Sequence, residues 1–184
     1  MGKLYEELSA AQIDFIQSQA LFFVGTAPKG CQGHVNISPK GLDSLKVIDS
    51  KTLAYLDLTG SGVETISHIK ENGRLVMMFC AFDGKPMILR VHGRGEVLES
   101  DSVEFKRLRP RFGDFPGVRS IIKLTATRIA DSCGWNVPLY DYQGTRDYYQ
   151  KFADQLGKEG IREGQIAANM ISIDGLEGLS KPSL

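Results

Sequence analysis

The stretch LDLTGSGVET, residues 56–65, joins a strand-like run to a glycine-flanked serine and then to a helix-like run. Small residues let a ligand approach the backbone closely, and the first turn of a helix offers N–H groups that lack partners within the helix. With the helix dipole, such an end favours an anion, for example a phosphate. Thr59, Ser61 and Thr65 place hydroxyl groups around the same point. The sequence therefore predicts an anion site where this strand passes into the helix.

The same stretch also has a purely structural interpretation. Serine is a common N-cap, so Ser61 could cap the helix while the glycines only turn the chain. The stretch is not a Walker loop, because no Gly-Lys-Ser/Thr follows, and it is not a GxGxxG dinucleotide fingerprint. Both interpretations stay open at the level of sequence.

A second polar pattern lies in HVNISPKG, residues 34–41. Asn36 and Ser38 are two residues apart, so on a strand their side chains point to one face. If that face is turned inward, a strand ending in Pro-Lys-Gly can hydrogen-bond the edge of a heteroaromatic ring, with Lys40 as an additional candidate. If the face is turned outward, these residues form an ordinary solvated surface.

Metal and thiol chemistry find little support in the sequence. The histidines are far apart and form no i, i+4 pair, and the cysteines form no CxxC motif, so we expect no metal site. The three cysteines are Cys31, Cys80 and Cys133. Their odd number and wide spacing predict free thiols in a reducing compartment. Cys133 is either a reactive thiol or a small buried apolar residue.

Length and composition set broader limits. The chain has 184 residues, 42% hydrophobic and 24% charged, which is typical of one globular domain. Its 22 basic and 22 acidic residues cancel, which argues against a nucleic-acid-binding protein. No run approaches the roughly 20 apolar residues that span a membrane. The first residues, MGKLYEELSA, carry acids where a signal peptide has its apolar core, so we expect a cytoplasmic protein.

Turn residues and changes of period divide the chain into short elements. Apolar or alternating runs predict strands at residues 21–27, 34–38, 44–50, 52–58, 75–82, 87–99 and 120–132. Helices are predicted near residues 9–20, 60–74, 100–108 and 146–157, with Ser9 and Gln12 forming a capping box and Gly73 ending the second helix. Because strands and helices do not alternate regularly, we expect a mainly β fold, a small antiparallel barrel with helices outside.

The order of three motifs resembles that of the pyridoxamine 5′-phosphate oxidase-like split-barrel flavoproteins. These motifs are VNISPKG, then YLDLTGSGVETISHIKENGRLVMMF, then ILRVHGRGEV. The resemblance covers roughly residues 21–98, and its most specific part is ISHIKENGR followed by an apolar strand. A weaker similarity lies in DSCGWNVPLY, residues 131–140, which is similar to a motif of one subgroup.

The resemblance implies a homodimer of six-stranded antiparallel split barrels with FMN across the interface. The barrel domain would span residues 1–145, and residues 146–184 would form a C-terminal helix and tail packed on it. Asn36 and Ser38 would lie beside the flavin ring, with Lys40 nearby. The ribityl-phosphate side would be formed by Asp57, Thr59, Ser61 and Thr65. Trp135, the only tryptophan, would stack on the flavin or a substrate, or serve as an interface or core aromatic.

The sequence departs from the true oxidases in two places. They carry an Arg-Lys pair where the helix begins, and this chain has Glu64 and Thr65 there. A phosphate would therefore rely on hydroxyls, backbone N–H groups and basic residues elsewhere; Arg74, Arg90 and Arg94 are candidates, with surface ion pairing as their alternative role. The arginine- and tryptophan-bearing segment that holds the pyridoxal substrate has no counterpart, so we do not expect vitamin B6 oxidation.

These implications favour an FMN-dependent oxidoreductase that acts on a small organic substrate. Flavin chemistry needs little from the protein besides binding, orientation and tuning, which suits a chain without an obvious acid–base pair. The alternative is a non-catalytic module that holds flavin, haem or a deazaflavin. A further alternative is a barrel that has no cofactor and acts through its dimer face.

Overall fold

The computed structural model describes residues 2–183. In chain order its elements are β1 (Leu4–Tyr5), α1 (Ala10–Ser18), β2 (Phe22–Thr26), β3 (Asn36–Lys40), β4 (Leu45–Asp49), β5 (Thr52–Leu58), α2 (Glu64–Asn72), β6 (Arg74–Cys80), β7 (Ile88–Glu99), α3 (Val103–Leu108), a 3-10 turn (Arg109–Arg111), β8 (Val118–Ser132) and α4 (Tyr148–Ala168).

Local signals explain where two of the helices begin and end. Ser9 caps α1: its hydroxyl accepts a hydrogen bond from the Gln12 backbone N–H, and the Gln12 side chain accepts one from the Ser9 backbone N–H. Gly73 ends α2 in the left-handed conformation, at φ 69°, and its N–H donates to the carbonyl of Ile69. The predicted capping box and glycine C-cap are both confirmed.

The strands form one sheet in the order β3-β2-β6-β7-β8-β5-β4, with the short β1 beside β8. Every pairing is antiparallel. β7 and β8 have 12 and 15 residues and pair along almost their whole length, interrupted by one irregularity after His92. A bulge in such a long pair increases the local twist and allows the sheet to curl.

Strand β5 is buried on both faces, which explains why it reads as a continuous apolar run. Leu53 and Tyr55 point into the larger core, which lies between α2 and the sheet. Ala54 and Leu56 point the opposite way, into a second cluster around α3. Because successive side chains of a strand alternate between faces, the two clusters hold β5 from both sides. The end of β5, where the candidate anion site begins, is therefore rigidly placed.

The six strands that the family resemblance implies are too few, because the sheet has eight within residues 2–183. One difference is β1, a two-residue strand that pairs Leu4 with Ala130 and Tyr5 with Ile129. Two residues cannot display a period, so the sequence gives no signal for such a strand.

The C-terminal helix is longer than predicted. α4 runs from Tyr148 to Ala168 and changes direction at Gly157, whose φ of 62° is left-handed. Its second half reaches the end of β5 through Gln165, which is completely buried. The division into residues 1–145 and 146–184 stays a prediction. No helix within residues 2–183 is long and apolar enough to cross a membrane.

Candidate functional site

A cleft of about 290 Å³ opens where β5 passes into α2. We call it the turn cleft; its borders are residues 38–40, Leu58, residues 60–62, Glu64, Thr65 and Arg119. Four other strands separate β3 from β5 in the sheet order, so their meeting at this cleft means that the sheet curls into a barrel. Ligand pockets usually measure about 300–1,000 Å³, so the turn cleft suits a small anion or the charged end of a larger ligand.

The N-terminus of α2 lies open at this cleft. The helix begins at Glu64 after Val63, and no side chain caps it. Since Val63 occupies the N-cap position, Ser61 is not the N-cap that the structural interpretation required. Ser61 is exposed and borders the cleft. The first-turn N–H groups therefore have no capping side chain, and the helix dipole favours negative charge beside them.

A buried ion pair supports the cleft from behind. Arg119 donates from Nε to Asp57 Oδ2 at 2.7 Å and from Nη2 to Oδ1 at 3.4 Å. Its Nη1 donates to the carbonyl of Gly62 at 2.8 Å. A guanidinium has five N–H groups, so these bonds leave one on Nη1 and one on Nη2 for a ligand. Arg119 is only 4% exposed, which fixes the direction of these donors.

The charge balance of the pair favours an anion. Lys40 Nζ lies 3.6 Å from Asp57 Oδ1. Burial alone would raise the pKa of Asp57, but the charges of Arg119 and Lys40 outweigh it, and the pKa falls below its ordinary value. Asp57 is therefore ionised, and two cations against one carboxylate leave one positive charge in excess.

Glu64 works against that excess. It borders the cleft, and its carboxylate lies over Gly62 in the first turn of α2. An acidic side chain in the first turn is stabilised by the helix dipole. Glu64 therefore places a negative charge beside the N–H groups that a bound anion would use, and the two charges would repel each other.

A chain of polar side chains orients the hydroxyls of the cleft. Asn36 Nδ2 donates to Thr65 Oγ1 at 2.9 Å and to Thr26 Oγ1 at 3.1 Å. Thr26 Oγ1 lies 3.0 Å from Nδ1 of the buried His68, whose pKa burial lowers, so the imidazole is neutral. Ser38 Oγ donates to Asn36 Oδ1 at 3.2 Å. Thr65 Oγ1 accepts from Asn36, and its own hydrogen can donate either to the neighbouring Tyr55 hydroxyl or into the cleft.

The sequence model of the family described as "Pyridoxamine 5'-phosphate oxidase" matches residues 8–133. The chain belongs to this family. A family member from Aspergillus flavus, named Pyridoxamine 5'-phosphate oxidase family protein ustO, is 38% identical over 196 residues, with 97% of this chain and 78% of that protein aligned.

Solved structures agree on the fold. HupZ of Group A Streptococcus superimposes with a TM-score of 0.53 at 22% identity, covering 73% of this chain and 99% of HupZ. A FAD-binding protein from Mesorhizobium loti gives a TM-score of 0.50 at 14% identity, covering 71% of this chain and 96% of that protein. The predicted fold class, a mainly β antiparallel split barrel with peripheral helices, is confirmed.

The eight residues predicted for the site fall into groups. Ser38, Lys40, Ser61 and Thr65 border the turn cleft. Asn36 lies one hydrogen bond behind Thr65.

Asp57 and Thr59 do not border the cleft. Asp57 has no exposed surface, because Arg119 and Lys40 lie against its carboxylate. The hydroxyl of Thr59 donates to the carbonyl of Gly117 and accepts from Gln165, so it points toward α4. Both residues support the site and do not offer their side chains to a ligand.

Trp135 also lies away from the cleft. It is 79% exposed, in the irregular segment between β8 and α4. Within one protomer it stacks on no other described aromatic ring.

Arg74, Arg90 and Arg94 do not border the turn cleft either. They lie on β6 and β7, where Arg74 pairs directly with Arg94 and Arg90 with Met78. Surface ion pairing, the alternative role expected for these arginines, is not observed either, because none of the three forms a salt bridge within residues 2–183.

Arg119 is the cation that the sequence analysis missed. A signal was available: Arg119 and Asp57 each interrupt an apolar strand, in VRSII and YLDLT. Since a lone charge is very costly inside a core, two such interruptions of opposite sign predict each other as partners.

Proposed function

We propose that the chain is an FMN-dependent oxidoreductase that works as a homodimer and acts on a small organic substrate. The observation that carries this proposal is the turn cleft, where an uncapped helix start, two cations and several hydroxyl groups converge. This donor set fits a phosphate monoester. The likeness to a protein described as FAD-binding supports a flavin as the rest of the ligand.

The phosphate would take its bonds from groups that the chain already orients. Arg119 offers two N–H groups, and Thr65 would turn its hydroxyl hydrogen to the phosphate while its oxygen accepts from Asn36. Ser61 and the first N–H groups of α2 complete the set. FMN suits the small cleft better than FAD, because its phosphate is terminal, whereas FAD must lead a second phosphate and an adenosine out again.

The remaining residues of β3 would orient the ring. Ser38 donates to Asn36, so the lone pairs of its oxygen are free to accept an N–H from a heteroaromatic edge. The cationic Lys40 would stabilise negative charge that develops on a nearby ring. When bound, FMN supplies hydride or single-electron transfer, so the protein needs no separate acid–base pair for that step.

A second copy of the chain would complete the ligand-binding surface. Ile37, on the outer side of β3, and Val35, just before β3, are 69% and 72% exposed. Trp135 and Leu139, in the segment between β8 and α4, are 79% and 76% exposed. Large apolar side chains exposed in such numbers are typical of an interaction surface, and a homodimer would cover them.

The test begins with purified protein titrated with FMN, FAD and riboflavin, and binding is followed by quenching of flavin fluorescence. We expect FMN to bind at least tenfold more tightly than riboflavin. A tenfold difference in affinity corresponds to about 1.4 kcal/mol, and several charged hydrogen bonds to the phosphate can supply at least that much binding free energy. Equal affinity for FMN and riboflavin would contradict the phosphate placement. Failure to bind any of the three would contradict the flavin proposal itself.

Turnover separates the enzyme from the non-catalytic module. We expect the FMN-loaded protein to oxidise a reduced nicotinamide in air, or with an added small organic acceptor, faster than free FMN does. A loaded protein that no donor reduces would support the binding module instead.

A further inference from the structure

We infer that Gln165 of α4 and Asn169, the C-cap residue of α4, are positioning residues that hold the glycine turn, residues 60–62, in the shape its anion contacts require. This inference rests on the proposed function. It extends the site to a helix more than 100 residues away in sequence, which borders none of the turn cleft.

The carbonyls of the glycine turn are held from two sides. Asn169 Nδ2 donates to the carbonyl of Gly60 at 2.9 Å, and Arg119 Nη1 donates to the carbonyl of Gly62 at 2.8 Å. All described peptide bonds are trans. The N–H of a trans peptide points opposite to its carbonyl, so the Ser61 N–H is turned away from Asn169. By holding one carbonyl, Asn169 orients the donor that follows it.

Gln165 fixes the residue before the turn. It is completely buried, and its Nε2 donates to Thr59 Oγ1 at 2.7 Å and to Ser183 Oγ at 2.8 Å. Its Oε1 accepts the backbone N–H of Ser183 at 2.7 Å. The polar atoms of this amide are all bonded, so its orientation is set, and Thr59 is held on the α4 side.

The side chain of Asn169 is not the one that would stabilise the fold most. The side chain is completely buried, yet its Oδ1 has no partner among the described residues. A buried acceptor without a partner is unfavourable, and an apolar side chain of the same shape would avoid that penalty. Gly60 lies in an exposed part of the chain, so we expect water to replace Asn169 at its carbonyl in a variant that lacks the amide. What Asn169 adds is the orientation of the turn.

The flexibility of glycine explains why this turn needs hydrogen bonds that fix its shape. Glycine has more backbone freedom than any other residue, so an unbraced Gly-Ser-Gly turn would sample many conformations. Ordering those conformations on binding would weaken affinity, and bonds made before binding avoid that loss.

The test compares Asn169→Leu with the control Gln155→Leu, which removes an exposed amide from the same helix. We expect Asn169→Leu to keep or raise the melting temperature, while FMN affinity falls about three- to tenfold. Riboflavin affinity should stay unchanged, and Gln155→Leu should change neither ligand. Hydrogen exchange of the flavin-free protein should show faster exchange at residues 60–62 in Asn169→Leu alone.

The outcomes distinguish a failure of the positioning role of Asn169 and Gln165 from a failure of the proposed phosphate site. If the wild-type protein does not prefer FMN to riboflavin, the phosphate site fails, whatever the exchange rates show. Suppose that the wild type prefers FMN. If Asn169→Leu then keeps the same preference, or loses affinity for both flavins equally, Asn169 does not position the turn for the phosphate. Should Asn169→Leu not fold, Thr59→Val removes the hydroxyl to which Gln165 donates, and the same ratio of FMN to riboflavin affinity decides.

Discussion

The carboxylate of Asp57 has no exposed surface, and cations lie on two sides of it. Replacing it with asparagine keeps the shape but leaves Arg119 buried without its counter-charge. Removing one partner of a buried pair usually costs about 3–5 kcal/mol. We expect Asp57→Asn to lower the free energy of unfolding by about that amount in urea titrations. Asp141→Asn, at an exposed position, is the control and should have no effect; comparable losses in both variants would contradict the pairing.

The pH dependence of this pair follows from the direction of the shift. The folded-state pKa of Asp57 lies below its ordinary value. The carboxylate therefore stabilises the fold fully above the unfolded pKa of about 4, and this stabilisation is lost as pH falls through the folded pKa. In Asp57→Asn the acid limb of the stability curve should be flatter. An identical acid limb in both proteins would show that Asp57 is not the group responsible.

Glu64 gives a prediction of opposite sign, a gain in affinity. Its carboxylate lies at the uncapped start of α2, where the bound phosphate would also lie. Glu64→Gln removes the like charge, so FMN should bind about three- to tenfold more tightly, equivalent to roughly 1 kcal/mol. Riboflavin, which has no phosphate, should bind as before. Weaker FMN binding in isothermal titration would mean that Glu64 serves the ligand.

At the scale of elements, the outer face of β6, β7 and β8 carries a row of basic side chains that form no salt bridge within residues 2–183. Arg74 lies directly opposite Arg94, and His92 lies opposite Arg128. Like charges facing each other across a sheet are destabilising. Burial lowers the pKa of His92, and the charges of Arg128 and Arg90 lower it further.

Removing one positive charge from this row should change the pKa of the neighbouring histidine. We expect Arg128→Gln to raise the pKa of His92, because a repelling charge is lost, and NMR titration of the imidazole protons measures that shift. Arg111→Gln, an exposed arginine outside the sheet, is the control. A pKa of His92 that does not respond to Arg128→Gln would mean that burial and Arg90 set it without Arg128.

Elements and side-chain contacts differ in how far the sequence determines them. β5 was predicted with its observed bounds, residues 52–58, and Gly73 was correctly identified as the end of α2, since periodicity and glycine C-caps are local signals. The direction of Thr59 could not be predicted, because it depends on Gln165, a partner 106 residues away. The sequence indicates which residues are polar near the turn, and only tertiary contacts decide which of them face the cleft.

At the scale of the whole molecule, one protomer leaves two apolar surfaces uncovered. Ile37 of β3 and Val35, just before β3, are exposed at one edge of the sheet. The segment between β8 and α4 exposes Trp135 and Leu139. An edge strand with exposed apolar side chains invites association unless a partner covers it. The proposed homodimer accounts for both surfaces.

Ile37→Asp tests this arrangement, because a charge at the centre of an apolar interface is desolvated on association. We expect the wild-type protein to have twice the chain mass of 20.3 kDa in light scattering, and Ile37→Asp to have the mass of one chain. If FMN lies across the interface, the variant should also lose FMN while keeping its melting temperature. Val103→Asp, at an exposed position on α3, should stay dimeric and keep FMN. A wild-type protein of 20.3 kDa that still binds FMN would place the whole ligand site within one protomer.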